Sequence, residues 1–247
     1  MIKKRIIGVI TVKNSIVVQS IKYSNYLPIG SPEVSIENLE RWQVDEIIIK
    51  NIDQSKNNLG PDLNLISRIA SMGMTTPLAY AGGIRNCEDA VSVIRSGAER
   101  VVVDSLLIKN LKEAIRISEI LGSQAVIGSL PLALKNRELL HFNYIDRTYD
   151  NINKKILEAF ESGKISELMI IDHMNDGVEN GFQEKLLDHF KNNSNLIVFG
   201  GISSNNQVKK LMKKDSVVGV AIGNFLNYRE HSVNLFKSNL DSKLVRS

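Results

Sequence analysis

Short apolar runs rich in Val and Ile recur along the chain at fairly even spacing: RIIGVITV (5–12), DEIIIK (45–50), PLAYA (77–81), RVVVD (100–104), QAVIGSL (124–130), ELMIID (167–172), LIVFG (196–200) and VVGVAIG (217–223). Their near-continuous hydrophobicity is that of strands covered on both faces, as in a parallel sheet. Amphipathic stretches of helical length lie between them. Several open on legible starts: Ser31 before Pro32, Gly60 before Pro61, and Asn86 followed by Glu88 and Asp89, which sets acids at a positive helix end. Eight strand–helix repetitions in 247 residues predict a closed (β/α)8 TIM barrel. An open doubly wound sheet usually has about five or six strands.

An internal repeat supports the closed form. AGGIRNCEDAVSVIRSGAERVVVDS (81–105) resembles FGGISSNNQVKKLMKKDSVVGVAIGN (199–224), with the paired glycines 118 positions apart, and DEIIIK resembles SELMII with Glu46 and Glu167 121 apart. An offset near half the chain predicts two (β/α)4 halves, roughly 1–120 and 121–247, in one domain over 1–247.

Composition narrows the function classes. Thirty-one Lys and Arg against 27 Asp and Glu give a net charge of +4, but the excess is scattered rather than blocked, so a solvated surface is expected and no nucleic-acid partner. The only thiol, Cys87, excludes an internal disulfide. No apolar run approaches the roughly 18 to 20 residues of a bilayer span, and MIKKRIIGVITV enters a strand pattern without a signal-peptide cleavage motif. The expected location is the reducing cytoplasm, with no membrane contact.

In a (β/α)8 barrel the loops after the strands form the active face. Gly82-Gly83 follows the third predicted strand and Gly200-Gly201 the seventh, with Gly223-Asn224 after the eighth. Glycines ahead of a helix let backbone N–H groups approach an anion. Two phosphate cradles on opposite sides of the mouth are one reading; two structural turns are the other.

KRII at the start, VDEI, GGI, SGAERV, LGSQAV, NDGxxxG (Asn175, Asp176, Gly177, Gly181) and the second GG run collinearly over essentially the whole chain. In these motifs the sequence resembles the cyclase subunit of imidazole glycerol phosphate synthase, the HisF type of the histidine pathway. The resemblance implies a heterodimer with a HisH-like glutaminase, whose ammonia enters the barrel floor through a charged ring and travels inside to the mouth. Arg5, Glu46, Arg100 and Glu167 match that ring, with Arg100 in place of the usual Lys, and Glu99 matches an acid that contacts the glutaminase. Four solvated strand-start charges are the plain alternative. The resemblance places Ser105 with Gly82, Gly83, Gly200, Gly201, Gly223 and Asn224 in phosphate binding, and implies no cofactor and no metal.

The departures matter as much. The family's two catalytic carboxylates fall on Thr11 and Pro131. Neither side chain exchanges a proton near neutral pH, and each positioned acid or base contributes about 10²- to 10⁴-fold in rate. Gln19 replaces a usual Lys. Asp104 replaces an Asn beside the first phosphate site, where a carboxylate repels a dianion unless protonated or bridged. Asn51 replaces an acid. Lys50 adds a cation that either binds an altered substrate or snorkels to solvent. His173, with Asp172 and Asp176, offers acid/base capacity at the end of the sixth strand. Trp42 is expected in the outer core, and 21–30 as a mobile lid.

The expected function is therefore a divergent paralogue that receives and conducts ammonia while its own ring-closing activity is lost. The resemblance extends to proteins associated with amidation of bacterial surface sugars, which adds a separate sugar amidotransferase and a small phosphorylated or sugar-nucleotide substrate as expected partners. Two rivals stand beside it: an authentic cyclase subunit of histidine biosynthesis, and a silent scaffold that activates the glutaminase.

Overall fold

The structure, a computed structural model, describes residues 3–227 and 232–240. Strand β1 (Arg5–Lys13) leads into a hairpin, β2 (Ile16–Ile21) and β3 (Asn25–Gly30), followed by β4 (Glu46–Asn51), β5 (Leu78–Ala81), β6 (Arg100–Val103) and β7 (Val126–Lys135). A second hairpin, β8 (Glu138–Asn143) and β9 (Thr148–Asn151), precedes β10 (Glu167–Asp172), β11 (Leu196–Phe199) and β12 (Val217–Ile222). Parallel ladders join β1, β4, β5, β6, β7, β10, β11 and β12 in that order, and β12 pairs back onto β1 through Arg5 opposite Gly219. The sheet is a closed eight-stranded parallel barrel, and its eight strands are the eight apolar runs.

Closure explains why those runs are apolar on both faces. Ile7, Val9, Ile48, Ala79, Val102, Ile127, Met169, Ile171, Ile197 and Ala221 fill the barrel interior. Their strand neighbours, such as Ile6, Ile47, Val101, Ile170 and Val198, pack outward against the helices. A two-residue repeat thus supplies two separate cores.

The outer ring comprises α1 (Pro32–Arg41), α2 (Ile52–Lys56), α3 (Leu63–Ala70), α4 (Cys87–Arg95), α5 (Ser105–Lys109), α6 (Leu111–Leu121), α7 (Lys154–Glu161), α8 (Asn205–Met212) and α9 (Ser232–Ser238). Ser31 and Asn86 cap α1 and α4 by accepting from the Val34 and Asp89 amides. The start expected at Gly60-Pro61 falls two residues later, because Asp62 accepts from the Leu65 amide and is the cap. Trp42 ends α1 and is buried in the outer core. Between β10 and β11 the described residues form 3₁₀ turns, His173–Asn175 and Glu184–His189, instead of an α-helix. Gly177 and Gly181 interrupt any helical register there.

The hairpins were not legible from hydrophobicity, and the segment expected as a mobile lid, 21–30, lies largely in one of them: Asn25–Gly30 is a strand hydrogen-bonded along β2. Both hairpins open on a two-residue turn with positive φ, Asn14-Ser15 (49° and 62°) and Asn136-Arg137 (50° and 69°). This is the type I′ geometry, which Asn tolerates and which matches strand twist. The two asparagines lie 122 positions apart, so the turn recurs at the half-chain offset.

Ile66 of α3 is fully buried in the outer core. Ile66→Ala is expected to lower unfolding free energy in urea by about 2–5 kcal/mol with an unchanged denaturant slope, as cavity formation without loss of fold requires.

Candidate functional site

At the floor, Arg5, Glu46, Arg100 and Glu167 occupy the first positions of β1, β4, β6 and β10. They stand two residues below Ile7, Ile48, Val102 and Met169, so the pleat turns all four toward the barrel axis. Arg5 bonds Glu46 at 3.0 Å and Glu167 at 2.7 Å; Arg100 bonds the same two carboxylates at 3.0 and 2.8 Å. Cation and anion alternate around a closed ring. Glu46 spends one oxygen on each arginine, whereas a single oxygen of Glu167 serves both.

Burial disfavours the charge on Arg5, yet Glu46 and Glu167 outweigh it and raise its pKa. Burial likewise opposes ionisation of Glu167, and Arg5 and Arg100 overcome it to hold the carboxyl below its ordinary range. Desolvated charges of this kind persist only in company, since removing one member strands the others. A cavity of about 790 Å³ lies against the ring, lined also by Gln124, Ser166 and Asn195 from the loops before the strands. Glu99 is exposed on the same face and accepts from the Leu78 amide at 2.6 Å.

Thr11 and Pro131 sit at the opposite end, each two positions along its strand from an interior or cavity-lining residue, Val9 and Ser129. Both are buried. Thr11 pairs in register with Lys50 of β4, and Pro131 with Ile171 of β10. Lys50 donates to the Tyr23 hydroxyl at 2.8 Å and lies 4.7 Å from the centre of that ring and 5.2 Å from that of Phe199. It turns into the mouth instead of snorkelling out.

Lys50 and Asp104 line one cavity at the mouth, of about 380 Å³. One Asp104 oxygen is 3.3 Å from the Ser129 hydroxyl, and the other is buried without a partner. Burial pushes its pKa up to about 7, against the pull of Lys50 and Ser129. Burial lowers the pKa of Lys50, with Asp176 and Asp104 acting the other way.

The two glycine pairs are first of all close-approach points. A Cβ on Gly82 would lie 2.3 Å from the Asn51 carbonyl oxygen, and one on Gly200 2.6 Å from that of Asp172, so each pair crosses a strand end where no side chain fits. The Gly83 amide donates to the Ser55 hydroxyl at 2.9 Å. Gly82, Gly83 and Ser105 line the cavity with Lys50 and Asp104; Gly200, Gly201, Gly223 and Asn224 line a second, of about 470 Å³, with Gln19 and Asp176. Asn224 clamps the Ser20 backbone through both ends of its amide.

His173 stacks on Phe142 with ring centres 3.9 Å apart, meets the Tyr149 hydroxyl at 3.0 Å, and keeps Nδ1 buried without a partner. Burial, with help from Lys135 and His141, lowers its pKa to about 4, so the ring is neutral at pH 7. Asp172 is spent on Asn175 and the Gln183 amide, and Asp176 accepts from Ser20 at 2.6 Å. Of the three, Asp176 alone lines the second cavity, while Asp172 and His173 are held in the contacts just given. Asn51 reaches Asp62 at 3.4 Å.

Tyr23, from the segment expected as a lid, also lines the first cavity, as do Tyr144 and Arg147, for which the sequence gives no signal of its own. They come from the tips of the two hairpins, which only the Asn-led turns could have announced. Tyr144 lines this cavity together with Ser55 and Ser105, which brings the second hairpin over the mouth.

A carboxyl whose pKa is raised on folding contributes full stability below its ordinary value, and that stability is lost as pH rises through the folded value. For Asp104 this window runs from about 4 to about 7. Asp104→Asn is accordingly expected to match the parent near pH 4 and to exceed it by roughly 2–4 kcal/mol at pH 8 in urea titrations. Equal gains at both pH values would contradict this.

Comparison with known proteins agrees with this architecture. The family described as Histidine biosynthesis protein matches residues 5–232. A Leptospira interrogans protein provisionally named imidazole glycerol phosphate synthase subunit HisF is 30% identical over 93% of this chain and 92% of its own length. A Pseudomonas aeruginosa protein, provisionally the synthase subunit hisF2, is 27% identical over 94% of each. The imidazole glycerol phosphate synthase subunit HisF of Leptospira biflexa is 24% identical over 96% of this chain and 94% of its own. A family match over nearly the whole barrel makes this chain a member of the histidine biosynthesis protein family, with a HisF-like fold.

Proposed function

We propose that this chain is a HisF-like subunit that takes ammonia from a glutaminase docked on its floor and conducts it to the mouth, with the cyclase reaction lost. The observation that carries the reading is a closed charged ring at one end of a barrel whose other end holds Thr11 and Pro131 where the resemblance expects acids. The cavity against the ring and the exposed Glu99 offer the partner a recessed, charged face.

Above the ring the interior is mainly apolar, with Ile7, Val9, Ile48, Met169 and Ile171, and buried Ser129 is a polar group at the level of Met169. Neutral ammonia crosses such a medium more readily than ammonium, and exclusion of water keeps it unprotonated and nucleophilic. Passage requires one Arg–Glu pair to part and these side chains to yield, motions within the ordinary microsecond-to-millisecond range of packed elements. The nitrogen then leaves for a separate amidotransferase acting on a bacterial surface sugar, a destination drawn from the resemblance to paralogues of that role.

The names borne by the whole-length relatives favour a second reading, an authentic synthase subunit of histidine biosynthesis. Ammonium salt with the phosphoribulosyl precursor separates the two. With both positioned carboxylates replaced, turnover is expected at least about 10⁴-fold below that of an intact cyclase, and restoring Asp at Thr11 alone leaves it low. Turnover at an ordinary enzymatic rate, about 1 s⁻¹ or more, would overturn the reading. A silent scaffold differs from a conduit at the ring: in a complex with a HisH-type glutaminase, Arg5→Ala is expected to preserve glutamine hydrolysis while releasing its ammonia to bulk water.

A further inference from the structure

The first mouth cavity holds an ammonium and a carboxylate that do not pair. Among the described residues neither Lys50 nor Asp104 takes part in an ion pair within 4.0 Å, although each feels the other's charge. Lys50 has one hydroxyl for its three N–H groups, and Asp104 has a distant serine and one bare oxygen. Half-buried charges with so few partners are costly, so the space between them suits a guest that accepts from one and exchanges a proton with the other. The cavity also gathers Lys13, Lys56 and Arg147 against a single further acid, Asp53. That excess fits an anionic group on the same guest.

We propose that this cavity binds a phosphorylated carbonyl compound of sugar type and that Lys50 captures its carbonyl carbon as an imine, with Asp104 carrying the protons. In its amine form Lys50 Nζ donates its lone pair to the carbonyl carbon, and the C=O π electrons move to oxygen, which takes a proton from Asp104. The nitrogen returns a proton to Asp104, the hydroxyl leaves as water with that proton as the C=N bond forms, and the remaining N–H proton of the iminium passes back to Asp104. Ketone and lysine amine become imine and water, and Asp104 ends as it began.

The surroundings suit each step. Burial makes the amine form of Lys50 more accessible, which activates lysine nucleophiles generally. Asp104, titrating near 7, has both protonation states at hand in neutral solution. Lys50 and Thr11 share one register level, so the new amine stands beside a position where the resemblance expects a catalytic acid. The proposal holds whether or not ammonia is conducted from the floor.

Reductive trapping tests it. The full chain is incubated with dihydroxyacetone phosphate and sodium cyanoborohydride, followed by intact-mass measurement and peptide mapping. One saturable adduct on Lys50 is expected. Lys50→Arg, which keeps the cation but forms no imine, should abolish it at an unchanged melting temperature, and Asp104→Asn should slow it at least about tenfold. No adduct, or one that persists in Lys50→Arg, overturns the proposal, and an unchanged rate in Asp104→Asn overturns the role given to that carboxyl. If Asp104→Asn unfolds, Ser129→Ala tests the same carboxyl through its hydrogen bond and should alter the pH at which trapping is half-maximal.

Discussion

Closure of the sheet is the constraint from which the rest of the molecule follows. Once β12 pairs with β1, every second residue of eight strands must share one narrow interior, and position along a strand becomes depth in the barrel. The first inward positions of four strands are charged, the next are apolar, and the last carry Lys50, Thr11 and Ser129. Charge at the floor is tolerable because two guanidinium groups and two carboxylates cancel within the ring. The apolar layers in turn separate floor from mouth, and the ring presents little net charge to them because its members cancel. The two ends can therefore diverge in chemistry without disturbing each other.

The parts of this arrangement that a linear sequence exposes are those ruled by local periodicity. Continuous Val and Ile runs marked all eight barrel strands because an inner and an outer core both demand apolar side chains. The helix caps at Ser31 and Asn86 were legible because a cap is a contact three residues long. The hairpins escaped because β3 is largely exposed and β9 short and polar, so neither carries a hydrophobic signature. Their only mark was an Asn at a positive-φ turn, a single residue that many loops share.

The halves of the chain agree beyond the motif that first suggested a repeat. Asn14 and Asn136 turn equivalent hairpins, and the two glycine pairs cross equivalent strand ends at Asn51 and Asp172. These coincidences support descent of both halves from one unit. They also explain why glycine stands there in a barrel with changed mouth residues: a Cβ is forbidden by backbone, whatever the ligand. The glycine pairs are thus weak reporters of phosphate binding, and the side chains around them are stronger ones.

Those side chains set this mouth apart. A carboxyl at Asp104 beside glycines suited to an anion is unfavourable if it is ionised, and its rise to about 7 relieves part of the conflict by partial protonation. Lys50 offsets it further by its charge, and burial disfavours the Lys50 ammonium while the carboxyls of Asp176 and Asp104 in turn favour it. The two substitutions make physical sense together and poor sense apart. A lone buried lysine would lack a counter-charge, and a lone buried aspartate would stay neutral and merely fill space. Coupled in one cavity, they set a carboxyl and an amine side by side at a mouth where Thr11 and Pro131 carry no acid.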